Sequence, residues 1–293
     1  MDRILDNRNV LGFLFLLPAG ALLLLFLTYP LGLGTWLGFT DAKIGRPGVF
    51  VGLDNFQFLT QDAVALLSLF NTLFYTIVAS ILKFVLGLWL AILLNEHLPF
   101  KSMIRAIVLL PFIVPTALSA IAFWWIYDTQ FSIISWTLVR MGVIDQYVNF
   151  LGDPWLARLS TIAANVWRGV PFIAITLLAG LQTISPSLYE AAALDGATGW
   201  QRFRHITLPL IRPAIVMVVI LRMVTALSAF AAIFAATGGG PGSATEILNL
   251  YAYRTSFTEL NLGYGASLAM VLLSITLATS YAMFRLRRAR GSR

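Results

Sequence analysis

Six long apolar stretches limit what this chain can fold into. They lie at roughly 10–33, 67–94, 106–127, 158–181, 213–236 and 263–285. Each is close to the ~20 residues that an α-helix needs to cross a bilayer. Only 11% of the residues are charged, whereas soluble domains carry about 25%. The sequence therefore predicts an all-α polytopic membrane protein with six transmembrane helices and no soluble domain.

The first stretch fits either an uncleaved span or the core of a signal peptide. It is longer than the 7–15 apolar residues typical of a signal core, and it lacks an A-x-A cleavage site before the next polar stretch. We interpret it as a span. The chain is then predicted to form a single transmembrane domain over 1–293, with its core at roughly 67–285.

Lysine and arginine set the expected orientation. With both termini in the cytoplasm, twelve basic residues fall in inner segments and five in outer segments, as the positive-inside rule requires. This topology explains the net charge of +7 without a nucleic-acid partner, because nucleic-acid binders gather their basic residues on one wet face. Trp124, Trp125, Tyr127 and Trp155 fall where an interfacial aromatic belt is expected.

The sequence lacks the residues that several classes of function need. The chain has no Cys and only two His, so we expect neither a metal site nor the catalytic set of a membrane enzyme. It has no Gly-x-x-x-x-Gly-Lys-Ser/Thr phosphate loop, so we expect no ATP hydrolysis by this chain. An ion-gradient-driven secondary transporter is the alternative to an ATP-driven one, although the predicted spans contain no acid to carry a proton.

The predicted cytoplasmic loop at roughly 185–209 carries the most specific pattern. Ser185 or Ser187 can cap a helix that starts at Pro186, and Ser187 with Glu190 fits a capping box. Gly196 suits a left-handed helix stop. Thr198 and Gln201 fit a second capping box, and Pro209 predicts the end of the second short helix. These two helices would lie at the cytoplasmic face.

Two interpretations of the first helix are equally consistent with its residues. Ala191, Ala192 and Ala193 are small enough to let another surface approach, with Glu190 and Asp195 at either end of them. Such a helix could dock in a groove of a partner protein. It could equally be a plain connector in which Glu190 is only a cap.

A resemblance to a known family favours docking. The residues that carry it are Glu190-Ala191-Ala192, Asp195-Gly196-Ala197, Ile206, Leu208-Pro209 and Pro213. This pattern resembles the EAA loop of ABC importer permeases. The resemblance extends to Thr237-Gly238-Gly239-Gly240-Pro241, Tyr251-Ala252-Tyr253, Phe257, Val51-Gly52-Leu53-Asp54-Asn55-Phe56, Asn71-Thr72-Leu73 and Leu109-Leu110-Pro111. It is closest to the carbohydrate-uptake class, the relatives of the maltose and glycerol-phosphate permeases.

The resemblance implies a fold, partners and a location. The fold is that of a type I ABC importer permease in the bacterial inner membrane. The partners are a second permease subunit in a heterodimer, two ATP-binding subunits that hold ATP and Mg²⁺, and an extracytoplasmic solute-binding protein. The loop becomes the coupling helix, to which Glu190, Ala191, Ala192 and Asp195 contribute contacts and Gly196 the turn. No cofactor is expected in this chain itself.

Three cations fall inside the predicted spans: Lys83, Arg168 and Arg222. A charge at the bilayer centre costs at least about 2.5–3.5 kcal/mol, so each should face a cavity or a partner. They either line the solute path, which would then suit an anionic solute, or serve structure by pairing with carbonyls or with an acid of the second subunit. The resemblance favours structure or gating for both arginines and leaves Lys83 open.

A carbohydrate site combines aromatic faces with amide or carboxylate hydrogen bonds. Trp89, Asn165, Trp167 and Phe172 are our candidates, although a tryptophan in a span more often packs or anchors. The segment Ser228-Ala229-Phe230-Ala231-Ala232 is small and apolar where relatives often carry polar groups. We therefore assign no solute contact there.

Overall fold

The computed structural model describes residues 8–96, 99–227 and 229–291 and, of their side chains, those up to residue 285. These described residues form helices and two isolated β-bridges, with no strand, which confirms the all-α prediction. The helices are α1 Arg8–Gly38, α2 Asp54–Gln61, α3 Ala63–Asn95, α4 Lys101–Ile113, α5 Thr116–Ile126, α6 Ile133–Arg140, α7 Pro154–Leu181, α8 Pro186–Leu194, α9 Gly199–Leu210, α10 Arg212–Leu227, α11 Phe230–Ala236, α12 Leu248–Phe257 and α13 Leu262–Gly291. Within them, Leu24–Thr28 and Phe203–Thr207 are π-helical turns.

Six spans are present if each of two bent helix pairs counts as one. Four helices are long and apolar enough to cross a membrane unbroken, namely α1, α3, α7 and α13. The pair α4 and α5 bends by 89°, and the pair α9 and α10 by 66°. The fold class is therefore confirmed, but two of the spans are not the straight helices that hydropathy predicts.

The bend in the third span lies at Pro115. The predicted span 106–127 becomes two helices, with Val114 extended at φ −62° and ψ 130° between them. Proline disfavours helical geometry at the preceding residue, which accounts for Val114. The predicted fifth span, 213–236, is also divided, because α10 ends at Leu227 and α11 begins at Phe230. Ser228, between them, lies outside the described residues.

The residues fall into two compact units, one formed by Met1–Asp62 with Tyr251–Leu273 and the other by Ala63–Leu250 with Ser274–Arg293. In the second unit, α3 packs along α7. A Cβ added at Gly87 would lie 2.6 Å from Cγ2 of Ile173, so the two backbones approach as closely as small residues allow. The prediction of one permease domain over 1–293 stays a prediction.

A loop that follows α11 is fastened to α3 by two polar side chains. Asn71 donates from Nδ2 to the carbonyl oxygens of Ser243, at 3.0 Å, and Glu246, at 2.9 Å. Its Oδ1 accepts from Nε of Arg158 at 3.0 Å. The hydroxyl of Thr72 accepts from the amide of Leu248 at 2.8 Å. Two motifs that are distant in the sequence, Asn-Thr-Leu and the Gly-Gly-Gly-Pro loop, are therefore parts of one structure.

In the first unit, Asp62 joins two tyrosines. Its Oδ2 accepts hydrogen bonds from the hydroxyls of Tyr251 and Tyr264, both at 2.6 Å. Burial and the Asp62 carboxylate raise the pKa of Tyr251, so its hydroxyl stays a donor. Asn55 donates to the carbonyl oxygens of Gly38 and Thr40 at 2.9 and 2.8 Å. These bonds hold the end of α1 to the start of α2.

Candidate functional site

Helix α8 begins as its proline predicts. Ser185 is the N-cap residue and Pro186 the first helical residue. The Ser185 hydroxyl makes no capping bond and lies 2.7 Å from the hydroxyl of Ser187. The predicted box of Ser187 with Glu190 is wrong, because Ser187 already lies inside the first helical turn and cannot cap it.

The end of α8 is a Schellman motif. The amide of Ala197 donates to the carbonyl of Ala192 at 2.9 Å, and that of Gly196 to Ala193 at 3.1 Å. Gly196 has a φ of +79°, which confirms the left-handed stop. The capping box that opens α9 is also present, since Thr198 and Gln201 exchange side-chain and backbone hydrogen bonds. Local sequence thus sets both sides of the turn.

Helix α9 runs through Pro209 and bends only at Ile211, so the predicted end before Pro209 is wrong. A proline ring would meet the carbonyl four residues earlier in a regular helix. The π-helical turn Phe203–Thr207 precedes Pro209 and widens the helix there. Because the helix is widened, the chain passes the proline before it turns into α10.

One hydrogen bond and one buried residue connect α8 to the spans. The Tyr189 hydroxyl lies 2.9 Å from Oγ1 of Thr207 on α9. Ile211, at the bend, is buried in the same hydrophobic cluster as Ile173 and Leu177 of α7. A displacement of α8 would therefore be passed to α7 and α10 through packed side chains.

The remaining face of α8 is exposed. Glu190, Ala191, Ala193 and Asp195 are all exposed, and Ala192 is half-buried. Two apolar side chains that sequence reasoning missed stand beside them. Leu194 is 90% exposed, and Trp200, which stacks on Phe203, is 68% exposed. Their presence as large apolar residues in a charged loop between helices was the sequence signal that could have identified them. An exposed carboxylate next to unpaired apolar side chains suits protein docking.

Within the membrane, one face of α7 carries several of the predicted residues. Thr161, Asn165, Arg168 and Phe172 follow one another at spacings of four, three and four, which place them on one side of a helix. A cavity of about 20 Å³, large enough for about one water molecule, lies against the first three together with Ser119. Oδ1 of Asn165 and Oγ of Ser119 are buried there without a hydrogen bond. Ser119 is another residue that sequence reasoning missed.

Arg168 contacts the break in the third span. Its Nε donates to the carbonyl oxygen of Val114 at 3.2 Å. Val114 is extended between the two halves of the span. Its carbonyl group is therefore not surrounded by a regular helix. Arg168 is therefore paired with a backbone carbonyl. This agrees with the interpretation in which the intramembrane cations serve structure.

Arg222 lies over aromatic rings. Its Cζ is 4.2 Å from the ring centre of Phe172 and 5.5 Å from that of Phe112. Cζ of Arg168 lies 5.7 Å from the same Phe112 ring. Both arginines are therefore stabilised by cation–π contacts. Nε and Nη2 of Arg222 are nevertheless buried without a hydrogen bond.

Lys83 completes the cationic cluster. Its side chain is only 4% exposed and lies against Gly169, where an added Cβ would be 2.7 Å from Cδ and Cε of the lysine. Its ammonium group lies close enough to the guanidinium groups of Arg222 and Arg168 to be repelled by their positive charges. Among the described residues, Lys83 has no hydrogen bond or ion pair. Three cations thus lie near one another, and none of them forms an ion pair with an acid among the described residues.

The two tryptophans lie apart from this cluster. Trp89 is exposed, six positions after Lys83 and on a different face of α3. Trp167 is also exposed and contacts Phe123 edge-on, with ring centres 5.2 Å apart. Neither tryptophan lines the cavity beside Asn165. No group of three or more metal-ligating side chains occurs in the part of the chain that the structure describes.

Comparison with known proteins identifies the family. Residues 83–290 match the family described as "Binding-protein-dependent transport system inner membrane component". That range contains α8, α9 and all three of the cations Lys83, Arg168 and Arg222. The chain belongs to this family.

Members of the family and of its fold match the chain from end to end. It is 38% identical to the trehalose/maltose transport system permease protein of Thermococcus litoralis, over 97% of this chain and 95% of that protein. It is 33% identical to the sulfoquinovosyl glycerol transport system permease protein of Agrobacterium fabrum, over 96% and 92%. A bacterial ABC transporter that imports the acidic polysaccharide alginate matches with a TM-score of 0.84 and 25% identity, over 96% of both chains.

Family membership decides between the sequence alternatives. As an inner-membrane component of a binding-protein-dependent transport system, the chain is an ABC importer permease and a transport subunit. This confirms the resemblance and the inner-membrane location. The alternative of an ion-gradient-driven secondary transporter is wrong.

Proposed function

We propose that this chain forms half of the translocation pore of an ATP-driven importer for a sugar or sugar derivative. The relatives that support the cargo class are named for trehalose and maltose, sulfoquinovosyl glycerol and alginate. The observation that carries the proposal is the exposed α8, stopped by Gly196 and tied to the spans through Tyr189.

The coupling step follows from that geometry. Helix α8 docks in a cleft of an ATP-binding subunit at the cytoplasmic face, with Glu190 as its charged contact and Leu194 as its apolar anchor. Ala191 and Ala193 allow the close approach. Because the Tyr189–Thr207 bond and buried Ile211 connect α8 to α7 and α10, closure of the ATP-binding subunits moves the spans as a rigid body.

The assembly supplies what this chain lacks. A second, different permease subunit completes the pore, and two ATP-binding subunits hold ATP and Mg²⁺ and hydrolyse the nucleotide. An extracytoplasmic binding protein delivers the solute. In support, the alginate transporter is also known in complex with a periplasmic protein that holds an alginate pentasaccharide.

The solute path uses the polar face of α7. Asn165 offers its unpaired oxygen to a sugar hydroxyl, and the half-buried ring of Phe172 suits the C–H face of a sugar. The exposed Trp89 and Trp167 remain candidates on surfaces that a second permease subunit could complete.

The cations favour an acidic cargo. Lys83, Arg168 and Arg222 have no carboxylate partner among the described residues, so an anionic group would lower their combined electrostatic cost. Two of the proteins that match this chain are named for sulfoquinovosyl glycerol and an acidic polysaccharide. We therefore place a sugar acid ahead of a neutral sugar.

Substitutions in the coupling segment test the proposal. Gly196→Pro cannot adopt a φ of +79° and should destroy the stop of α8. Glu190→Ala removes the charged contact. We expect each to reduce ATP-dependent uptake on the order of tenfold, the effect of losing about 1.4 kcal/mol at an interface, while the chain still inserts.

Gly199→Pro is the matched control. Gly199 is the first residue of α9 and has open space around it, and proline is well tolerated at that position. It should leave uptake and co-purification of the ATP-binding subunit unchanged. Wild-type uptake in both Gly196→Pro and Glu190→Ala would contradict the docking role.

A further inference from the structure

The short helix α6 and its N-cap turn two serines inward. Ser132 and Ser135 are fully buried. Ser132 caps the helix by accepting from the amide of Ser135 at 3.1 Å, and Oγ of Ser135 accepts from the amide of Val148 at 3.2 Å. The second bond joins the helix to Val148 in the loop that follows it. The orientation of α6 is therefore determined by buried hydrogen bonds.

The opposite face of this segment is exposed and mostly apolar, with Thr137 returning its hydroxyl to the carbonyl of Ile133. Phe131 and Met141 are 72% and 70% exposed, and Ile133, Trp136 and Val143 are exposed as well. Ile133, Trp136 and Arg140 share one side of α6 at helical spacing. A helix at a water-facing surface has the reverse arrangement, with its apolar stripe facing the core. Removing apolar surface from water is favourable by about 25 cal/mol per Å². This face should therefore be covered by an apolar surface rather than by water.

The position of the segment indicates what covers it. Helix α5 of the third span ends at Ile126, and α7, the fourth span, begins at Pro154. The rings of Tyr127 and Phe150, just inside those ends, lie 5.4 Å apart. Both ends of the segment are therefore held where two spans leave the membrane.

The apolar face is continuous with the exposed surface of the span. Trp125, in the last turn of α5, stacks on Phe131 with ring centres 6.4 Å apart. Trp125 is itself exposed, as a residue that faces lipid would be. The surface therefore extends from the span onto α6 without a polar interruption at Phe131.

The one charge on this face suits a lipid headgroup. Cζ of Arg140 lies 5.5 Å from the ring centre of Trp136, and residues 131–143 contain no acid. Tryptophan with arginine, above an apolar face, is typical of helices that lie in the membrane interface. A phosphate is the complementary group for the guanidinium.

We propose that residues 131–143 lie in the membrane interface, with Phe131, Ile133, Trp136 and Met141 at the acyl boundary and Arg140 on lipid phosphate. The partner of this surface is the lipid bilayer. The segment thereby anchors the end of the broken third span to the membrane surface.

The absence of native cysteine allows a direct test. Ile133→Cys and Met141→Cys are each spin-labelled in the assembled importer in phospholipid nanodiscs. Collisions of the label with oxygen, which is lipid-soluble, and with a water-soluble nickel chelate are then measured. Asp145→Cys, an exposed position nearby, is the matched control. Labels at 133 and 141 should favour oxygen, and the label at 145 should favour nickel.

Arg140 provides a second measurement. In the Met141→Cys background, Arg140→Glu should move the label toward water, whereas Arg140→Lys should leave its depth unchanged. Nickel collisions at 133 and 141 equal to those at 145 would overturn the proposal. So would protection of both labels from both reagents, since a protein partner would then cover the face. An unchanged label depth in Arg140→Glu would overturn the phosphate contact.

Discussion

At the residue scale, the cluster of Lys83, Arg168 and Arg222 is unusual because charged side chains are rare inside membrane spans. Arg168 has a carbonyl partner and Arg222 has two rings. The alkyl chain of Lys83 lies against Gly169, and its ammonium group has no hydrogen bond or ion pair among the described residues. A buried ammonium group without a partner carries the largest uncompensated desolvation cost of the three. No acid pairs with Lys83 among the described residues, so Lys83 is the residue whose charge we expect to affect cargo choice most.

Lys83→Met removes that charge and keeps the length of the side chain. We expect the preference of the importer for an acidic over a neutral solute to fall by about tenfold, the effect of about 1.4 kcal/mol. Uptake of both solute types by the reconstituted importer measures it. Lys43→Met, at an exposed position, is the control. Unchanged kinetics across several solutes would rule out a role for Lys83 in selectivity.

Asn71 is the residue on which the loop after α11 most depends. Asn71→Ala removes two hydrogen bonds to loop carbonyls and the partner of Arg158. Leaving buried groups unpaired costs about 1–3 kcal/mol each, so we expect a lower melting temperature in detergent. Asn149→Ala, whose side chain accepts only the exposed Gly152 amide, should melt close to wild type. Equal melting of the two variants would show that the loop is held by other contacts.

At the element scale, the broken third span separates this fold from a bundle of straight helices. Hydropathy predicts a span at 106–127 because most residues on both sides of the break are apolar. The 89° bend depends on Pro115 and on Arg168, which reaches Val114 from α7. Composition locates the element, but a contact from a distant part of the chain stabilises its shape.

Pro115→Ala should straighten this span. Spin labels at Met103→Cys and Trp125→Cys, both exposed positions, would be about 33 Å apart along one straight helix and about 23 Å apart across a right-angle bend. We expect the shorter distance in the native background and a shift toward the longer one in Pro115→Ala. Pro111→Ala, within α4, should not lengthen it. A distance that does not respond to Pro115→Ala would mean that Arg168 and packing hold the bend alone.

At the scale of the whole molecule, the role that we propose for the chain is to transmit motion between two partners. Helix α8 follows the end of α7, and buried side chains of α7 pack with Ile211 at the start of α10 in one hydrophobic cluster. On that proposal, a subunit docked on α8 would change the path along the middle of α7. Because the sequence shows no phosphate loop, we expect the energy to come from the docked subunit.

Nucleotide chemistry should appear only on assembly. We expect the purified chain to bind no ATP in equilibrium dialysis and to hydrolyse none. The assembled importer should hydrolyse ATP, and a solute-loaded binding protein should stimulate it. Hydrolysis by the isolated chain would contradict the division of roles that we propose.

The sequence by itself determined the apolar segments that become spans, helix α8 and its stop. These depend on local properties: apolar length, the proline at the start of α8, the glycine at its end and the Thr198–Gln201 box. The tertiary structure decided the bends at Pro115 and Ile211, the placement of Lys83 against Gly169 and the inward serines of α6. Pro115 and the Ser132 cap act locally, but the contact of Arg168 with Val114, the burial of Ile211 against α7, the placement of Lys83 and the bond from Val148 to Ser135 all join residues that are apart in the chain. Hydropathy and capping patterns depend only on residues that are neighbours along the chain. They therefore cannot predict contacts between residues that are distant in the sequence.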